Sequence, residues 1–213
     1  MIRFEGVVLD RGGTRVLDGV DLVVPSGGCT VLTGANGAGK SSLLWTVPGL
    51  LTPQQGRVSV AGVTAEEDRF AVRSTVGLLL QRPADLFVAE TVGADVAFGP
   101  ENLGLDRDAV THRVDDALTR VGLPTAHDRP IRSLSGGEAR WVALAGLLAM
   151  QPQVMLLDEP AAGLDADGRD RLLTIIEAAR AAGQTLLVAT HSPGQFAGCV
   201  TEQVALVDGT IDR

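Results

Sequence analysis

The stretch that most constrains this chain is Gly34-Ala35-Asn36-Gly37-Ala38-Gly39-Lys40-Ser41. It follows an apolar run, Cys29 to Thr33, that reads as a short strand, and it opens a segment from about Lys40 that reads as a helix. A strand that enters a glycine-rich turn and leaves as a helix is the phosphate-binding loop pattern. Each residue type has a physical task in it. Gly34, Gly37 and Gly39 tolerate positive φ, so the backbone N–H groups of the loop, those of Asn36 and Ala38 included, can approach phosphate oxygens closely. The helix that begins near Lys40 aims its N-terminal dipole at the same anion. Lys40 offers a point charge to the outer phosphates, and Ser41 offers a hydroxyl to Mg²⁺, a hard cation that takes oxygen ligands. Lys40 is also the only lysine in the chain. A sequence that otherwise uses arginine keeps its lysine where a slim point charge is wanted rather than a planar fork.

A chain of 213 residues fits one domain, or one core carrying a small subdomain, and buries a core large enough to need no staples. Its net charge of −8 argues against a surface that coats nucleic acid, but not against a local cradle of donors for one nucleotide. Cys29 and Cys199 lack metal-type spacing and read as reduced core thiols of a cytosolic protein. The N-terminus has no basic start followed by an apolar block, so no signal peptide is expected. The longest apolar run, Trp141 to Met150, is half a membrane span, so a membrane role has to come through a partner.

Along the chain, Ile2 to Leu9 and Val16 to Val24 read as strands, and a second β pair falls around Gly56 to Gly62. Val76 to Leu80 is a buried-type strand running into Gln81. From about Pro83 to Met150 the pattern turns helical, with Arg107 to Val121 and Gly136 to Met150 the clearest stretches. Strand and helix then alternate again: Val154 to Leu157, Asp167 to Ala182, Thr185 to Ala189 and Val204 to Val207. Such alternation predicts a parallel sheet with crossover helices.

Val154-Met155-Leu156-Leu157-Asp158-Glu159 is an apolar strand delivering two carboxylates to the carboxyl edge of that sheet, where open α/β folds bind ligands. Asp158 suits Mg²⁺, directly or through water, and Glu159 suits orienting and deprotonating an attacking water. His191 repeats the geometry at the end of the next strand and is placed to donate to a γ-phosphate. Gln81, also at a strand end, carries a neutral amide suited to sensing Mg²⁺ or water, although chemistry alone does not decide for it.

The ordered set Gly34 to Ser41, Gln81, Leu134-Ser135-Gly136-Gly137-Glu138, Asp158-Glu159, Gly163-Leu164-Asp165 and His191 resembles the ATP-binding-cassette (ABC) ATPases over essentially the whole chain. The resemblance implies an α/β P-loop NTPase fold: a RecA-like, mostly parallel sheet with an N-terminal antiparallel β subdomain and an inserted helical subdomain over roughly 83–150. It implies ATP and Mg²⁺ as ligands, with Ser42 at the α-phosphate. It also implies that Ser135, Gly136 and Gly137 address the γ-phosphate of ATP held by a second ATPase subunit, in a homo- or heterodimer. Gly163-Leu164-Asp165 would link the two sites. Thr91-Val92-Gly93-Ala94-Asp95-Val96-Ala97-Phe98-Gly99-Pro100-Glu101-Asn102-Leu103-Gly104, with Leu144-Ala145-Gly146, is similar to the ATPases of energy-coupling-factor importers, which take up vitamins or cobalt and nickel ions. In that group the segment after the glutamine docks an integral membrane subunit. Leu86, Phe87 and Val88 are then either docking residues or core of the helical subdomain.

Three positions depart from the pattern. Arg11 stands where an aromatic residue usually stacks on adenine; a guanidinium can also stack on a base. Glu138 stands where glutamine is commoner, which adds negative charge near phosphates, and Ser192 stands where aspartate is usual. The chain ends soon after its last strand, so a dimer is expected to lean on ATP and the membrane partner. Three functions stay open on the sequence: a transport motor peripheral to the inner face of the cell membrane, a soluble ABC ATPase as in cofactor assembly, and a nucleotide-binding regulator without turnover. The intact Glu159 and His191 oppose the last.

Overall fold

A computed structural model describes residues 1–82 and 87–212 of the chain. The chain builds two sheets. Strands β1 (Ile2–Arg11), β2 (Thr14–Val24), β4 (Gln55–Val60) and β5 (Val63–Thr64) form an antiparallel sheet in the order β2-β1-β4-β5. The β1–β2 hairpin reverses at Gly12-Gly13, both at positive φ (57° and 81°), a turn that glycine enters without steric cost. The second sheet contains β3 (Cys29–Thr33), β6 (Val76–Leu79), β7 (Val154–Asp158), β8 (Thr185–Ala189), β9 (Glu202–Val207) and β10 (Thr210–Asp212), ordered β10-β9-β3-β8-β7-β6. Every pairing in it is parallel except that of β10 with β9.

The central strands read as continuous apolar runs because both of their faces are covered. Successive residues alternate between two cores. Met155 and Leu157 pack with Trp141, Leu144 and Ile176, whereas Val154 and Leu156 pack with Leu43, Leu44 and the antiparallel sheet. The second core is closed by α1 (Lys40–Thr46), the helix that leaves the glycine loop and lies against β7 and β8. The first core holds α3 (Val92–Asn102), α4 (Arg107–Arg120) and α5 (Gly136–Ala149), which pack on one another, and α6 (Ala166–Ala181), which lies on β8. Thr91, Asp106, Ser135 and Asp165 cap α3 to α6 by accepting a backbone N–H. A short α2 (Arg69–Thr75) precedes β6.

Two differences from the sequence reading matter for the site. The Thr91 to Gly104 run holds the helix α3, and its Pro100 sits within the helix, which the sequence pattern did not separate from loop. Of the three apolar residues after Gln81, Leu86 lies outside the described residues, Phe87 packs against the core and Val88 is 63% exposed.

Candidate functional site

Register brings the four strand ends to one edge. Leu32 pairs with Ala189, Ala189 with Asp158, and Leu157 with Leu79. The residues that follow these strands, Gly34, His191, Glu159 and Gln81, therefore emerge side by side at the carboxyl ends. Of these, Glu159 and Gln81 border an open cleft of about 440 Å³ that runs from Arg11 and Ser42, past Lys40, to Asp158. A larger concavity of about 600 Å³ lies at the amino ends of the strands, lined by Gln151, Val154, Thr185 and neighbours, and holds none of these groups.

The glycine loop is shaped by backbone conformation. Gly34, Gly37 and Gly39 have φ of 147°, 84° and 103°. A Cβ at Gly34 would stand 2.3 Å from the Leu206 carbonyl oxygen, so only glycine lets the loop leave β3 beside β9. Gly39 is the left-handed residue that starts α1. Lys40 is buried, and its Nζ donates to the Gly34 and Ala35 carbonyls (2.8 and 3.0 Å), folding the loop around the ammonium. Asn36, Gly37 and Ala38 form the outer wall of the loop and also border a neighbouring hollow.

Arg11 reaches the same cleft from the end of β1. Its guanidinium lies over the Trp45 ring, 5.2 Å from the centroid, and donates to Ser42 Oγ at 3.3 Å. Trp45, on α1, had no role in the sequence reading. It braces the arginine that stands in the aromatic position.

Asp158 and Glu159 are both buried, but in opposite circumstances. Asp158 Oδ1 is enclosed without a hydrogen-bond partner. Burial pushes its carboxyl above the usual carboxylate range; the Ser41 hydroxyl pulls it back, the Glu159 charge adds to the rise and Lys40 opposes it. A buried, partnerless carboxylate oxygen beside a serine hydroxyl is a donor set that fits a divalent, oxygen-seeking cation. Glu159, by contrast, is fully engaged. Oε2 accepts from Thr190 Oγ1 at 3.1 Å, and Oε1 accepts from the His191 backbone N–H at 3.0 Å and faces His191 Nδ1 at 2.9 Å. Glu159 also has φ 48°, a left-handed conformation unusual for glutamate. An Nδ1–H pointed at Glu159 leaves Nε2 as an acceptor in the neutral ring. Donation from His191 to a phosphate then requires the imidazolium or the other tautomer. Thr190 is a site residue that sequence reasoning missed; its only signal was its place beside His191 at the strand end.

The Ser135-Gly136-Gly137 turn is not brought to this cleft. Ser135 caps α5, and a Cβ on Gly136 or Gly137 would meet nothing within 4 Å, so the turn presents an open face. Glu138 closes a capping box: its Oε2 accepts from Ser135 N–H and Ser135 Oγ (2.9 and 2.8 Å), and the Glu138 N–H donates back to Ser135 Oγ. Its charge is not free, as the sequence alone implied. Arg129 forks onto it at 2.5 and 3.1 Å, and with the Ser135 donors holds the carboxyl down at about 2. Gly163 has φ 75°, and Asp165 caps α6 by accepting from the Gly168 N–H at 2.8 Å.

A lysine-filled glycine loop opposite paired carboxylates on one edge of a parallel sheet is an apparatus for a nucleoside triphosphate, and the architecture is that of the P-loop NTPases. Sequence comparison narrows the class. The family profile described as ABC transporter matches residues 17–162, and the chain belongs to this family of ATP-binding, ATP-hydrolysing subunits. It is 46% identical over 211 residues to a putative ABC transporter ATP-binding protein of Halobacterium salinarum, covering 99% of this chain and 91% of that one. It is 46% identical over 198 residues to the cobalt import ATP-binding protein CbiO of Rhodobacter capsulatus, covering 92% and 70%. Among solved structures it is similar to CbiO1 of Clostridium perfringens, part of the ABC transporter complex CbiONQ, with a TM-score of 0.86, 30% identity and coverage of 100% and 86%.

Proposed function

We propose that the chain is the ATP-hydrolysing motor of an energy-coupling-factor-type importer, working as a dimer in which each ATP is held between the glycine loop of one subunit and the Ser135-Gly136-Gly137 turn of the other. The observation that carries this reading is the placement of that turn. It is a capped helix start with open glycines, and it lies outside the cleft that contains the chain's own Lys40, Asp158 and Glu159. A second copy, related by a closed two-fold axis, supplies the missing wall to both sites.

In this reading Lys40 exchanges its carbonyl partners for the outer phosphates, and the loop N–H groups from Gly34 to Ser41 hold the same oxygens. Ser42 and the Arg11 guanidinium meet the α-phosphate or the base. Ser41 and Asp158, with Gln81 nearby, would hold Mg²⁺, which supplies charge neutralisation on the phosphate oxygens. Glu159 orients a water and takes its proton as the water oxygen attacks the γ-phosphorus and the bond to the β-phosphate oxygen breaks. His191 and Thr190 hold the Glu159 carboxylate in aim. Helices α3 to α5 form the helical subdomain, and the exposed Val88 and Phe98 (63% and 50%) are its apolar candidates for a membrane subunit. No helix among the described residues is long and apolar enough to cross a membrane, so attachment to the inner membrane face runs through that partner. The relatives named for cobalt import and for the CbiONQ transporter complex support import, here read as uptake of a metal ion or vitamin, over cofactor assembly.

The test is Glu159→Gln. The variant is expected to bind ATP with Mg²⁺ and accumulate as a stable dimer in sedimentation, with hydrolysis reduced by about 100-fold or more. A variant that stays monomeric with saturating MgATP removes the shared site. Recovery from membranes without an integral subunit removes the transport assignment.

A further inference from the structure

Arg140 lies on α5, five residues after Ser135, which is about 7.5 Å along a helix. Its guanidinium turns back toward the sheet edge and donates to three backbone carbonyls. Nη1 meets Glu159 O at 2.8 Å and Pro160 O at 3.2 Å, and Nη2 meets Gln81 O at 3.0 Å. The first two carbonyls belong to the loop after β7, which carries the hydrolytic carboxylate. The third belongs to the segment after β6, which carries the glutamine. One side chain therefore ties the helix that begins at the Ser135 turn to both catalytic loops.

Two features make this contact more than a surface staple. Glu159 is held at φ 48°, and such a conformation persists only where its surroundings over-determine it; Arg140 fixes its carbonyl while Thr190 and His191 fix its carboxylate. The guanidinium is partly buried, which lowers its affinity for the proton, while the Glu159 charge offsets that effect. A rigid fork can span the Gln81 and Glu159 segments, far apart in the chain; a lysine ammonium in the same place is a single point and cannot hold both in fixed geometry.

We propose that Arg140 is a positioning residue that couples the two nucleotide sites of the dimer. The inference builds on the shared-site reading above. There, the chain's Ser135 turn faces the ATP on its partner's glycine loop, while its Glu159 and Gln81 face the ATP on its own. Movement of α5 when the partner's nucleotide engages is carried by three hydrogen bonds into the loops that aim the water at the other. Arg140 touches neither nucleotide.

The experiment compares steady-state ATP hydrolysis by the wild-type chain, Arg140→Ala and Arg140→Lys, assembled in the same transporter complex, with ADP affinity and thermal unfolding measured alongside. Arg140→Ala is expected to lose about 10- to 100-fold in kcat, keep its ADP affinity within about threefold, and show a Hill slope lowered from above one toward one. Arg140→Lys keeps charge and length and is expected to fall between, so a folding defect in the alanine variant leaves the question answerable. Wild-type kcat and Hill slope in both variants would overturn the proposal, as would a loss confined to KM or matched by lost ADP affinity. Failure of the shared-site reading is distinguishable: Glu159→Gln would then stay monomeric with MgATP and the wild-type chain would show no cooperativity, whatever Arg140 does.

Discussion

Gly34→Ala separates what the glycine loop owes to backbone conformation from what it owes to space. Two penalties apply at Gly34. Its φ of 147° lies where residues with a side chain are strained, at about 1–3 kcal/mol. The new methyl would also stand 2.3 Å from the Leu206 carbonyl oxygen and 3.3 Å from Ala38 Cβ. Leu206 belongs to β9, which pairs with β3 directly beneath the loop, so that carbonyl cannot step aside without disturbing the ladder. Forcing an extra methylene into packed backbone adds about 1–3 kcal/mol. Gly37→Ala is the control: φ is 84°, but nothing lies within 4 Å of the added atom, so only the conformational penalty of about 1–2 kcal/mol remains. In urea unfolding of the nucleotide-free chain, Gly34→Ala should lose about 2–6 kcal/mol and Gly37→Ala about 1–2 kcal/mol. On heating, the difference between them is about 5–10 °C for a chain of this size. Because Lys40 Nζ is bonded to the Gly34 carbonyl, ADP affinity should fall in the first variant along with stability. Equal unfolding free energies for the two variants would refute the steric reasoning, whatever happens to binding.

Two further outcomes follow from charges at the site. Burial raises the Asp158 carboxyl, so protonation favours the fold; that advantage is complete below the unfolded pKa and is lost as pH rises through the raised folded value. Asp158→Asn should therefore melt above the wild type at about pH 7, by a margin that shrinks toward about pH 4, while losing Mg²⁺-dependent hydrolysis. A variant less stable than wild type at neutral pH would contradict the burial account. Arg129→Ala strips the counter-charge from Glu138 beside the Ser135 turn and should weaken ATP-driven dimerisation of the Glu159→Gln protein by about tenfold at low salt. Adding Glu138→Gln should restore it; failure of that rescue would mean Arg129 acts through something other than this pair.

Whether a feature was legible in the sequence followed the separation of the residues that build it. The glycine loop, the Asp158-Glu159 strand end and the Ser135 turn each lie within eight consecutive residues, and their chemistry is written in local order. The parallel strands were readable because burial on both faces makes them unbroken apolar runs. Helix α3 was not, because its Gly93, Gly99 and Pro100 weaken the helical pattern and its buried face is set by α4 and α5. Contacts across long separations were invisible. Arg140 to Gln81 spans 59 residues and Arg11 to Ser42 spans 31, and no spacing rule joins such pairs. The Glu138 charge was visible but its meaning was not, since its neutralisation depends on a 3₁₀ turn, Ile131–Ser133, folding Arg129 back nine residues.

The cleft concentrates features that destabilise a fold taken alone. Lys40, Asp158 and Glu159 are charges removed from water, Asp158 Oδ1 is enclosed without a partner, and Glu159 holds a left-handed backbone. Their sum is one excess negative charge beside a loop whose N–H groups are built for phosphate. In the proposed reading a cation with its nucleotide would satisfy both at once: positive charge for Asp158, phosphate oxygens for Lys40 and the loop. The sheet can carry that strained edge because its central strands are packed on both faces, so the cost stays local to the loops. Loops held by a few hydrogen bonds at the rim of a rigid sheet can reorganise when the ligand arrives without loosening the core. Arg140 binds both of those loops to α5, so in the proposed coupling the rearrangement passes through it to the Ser135 turn.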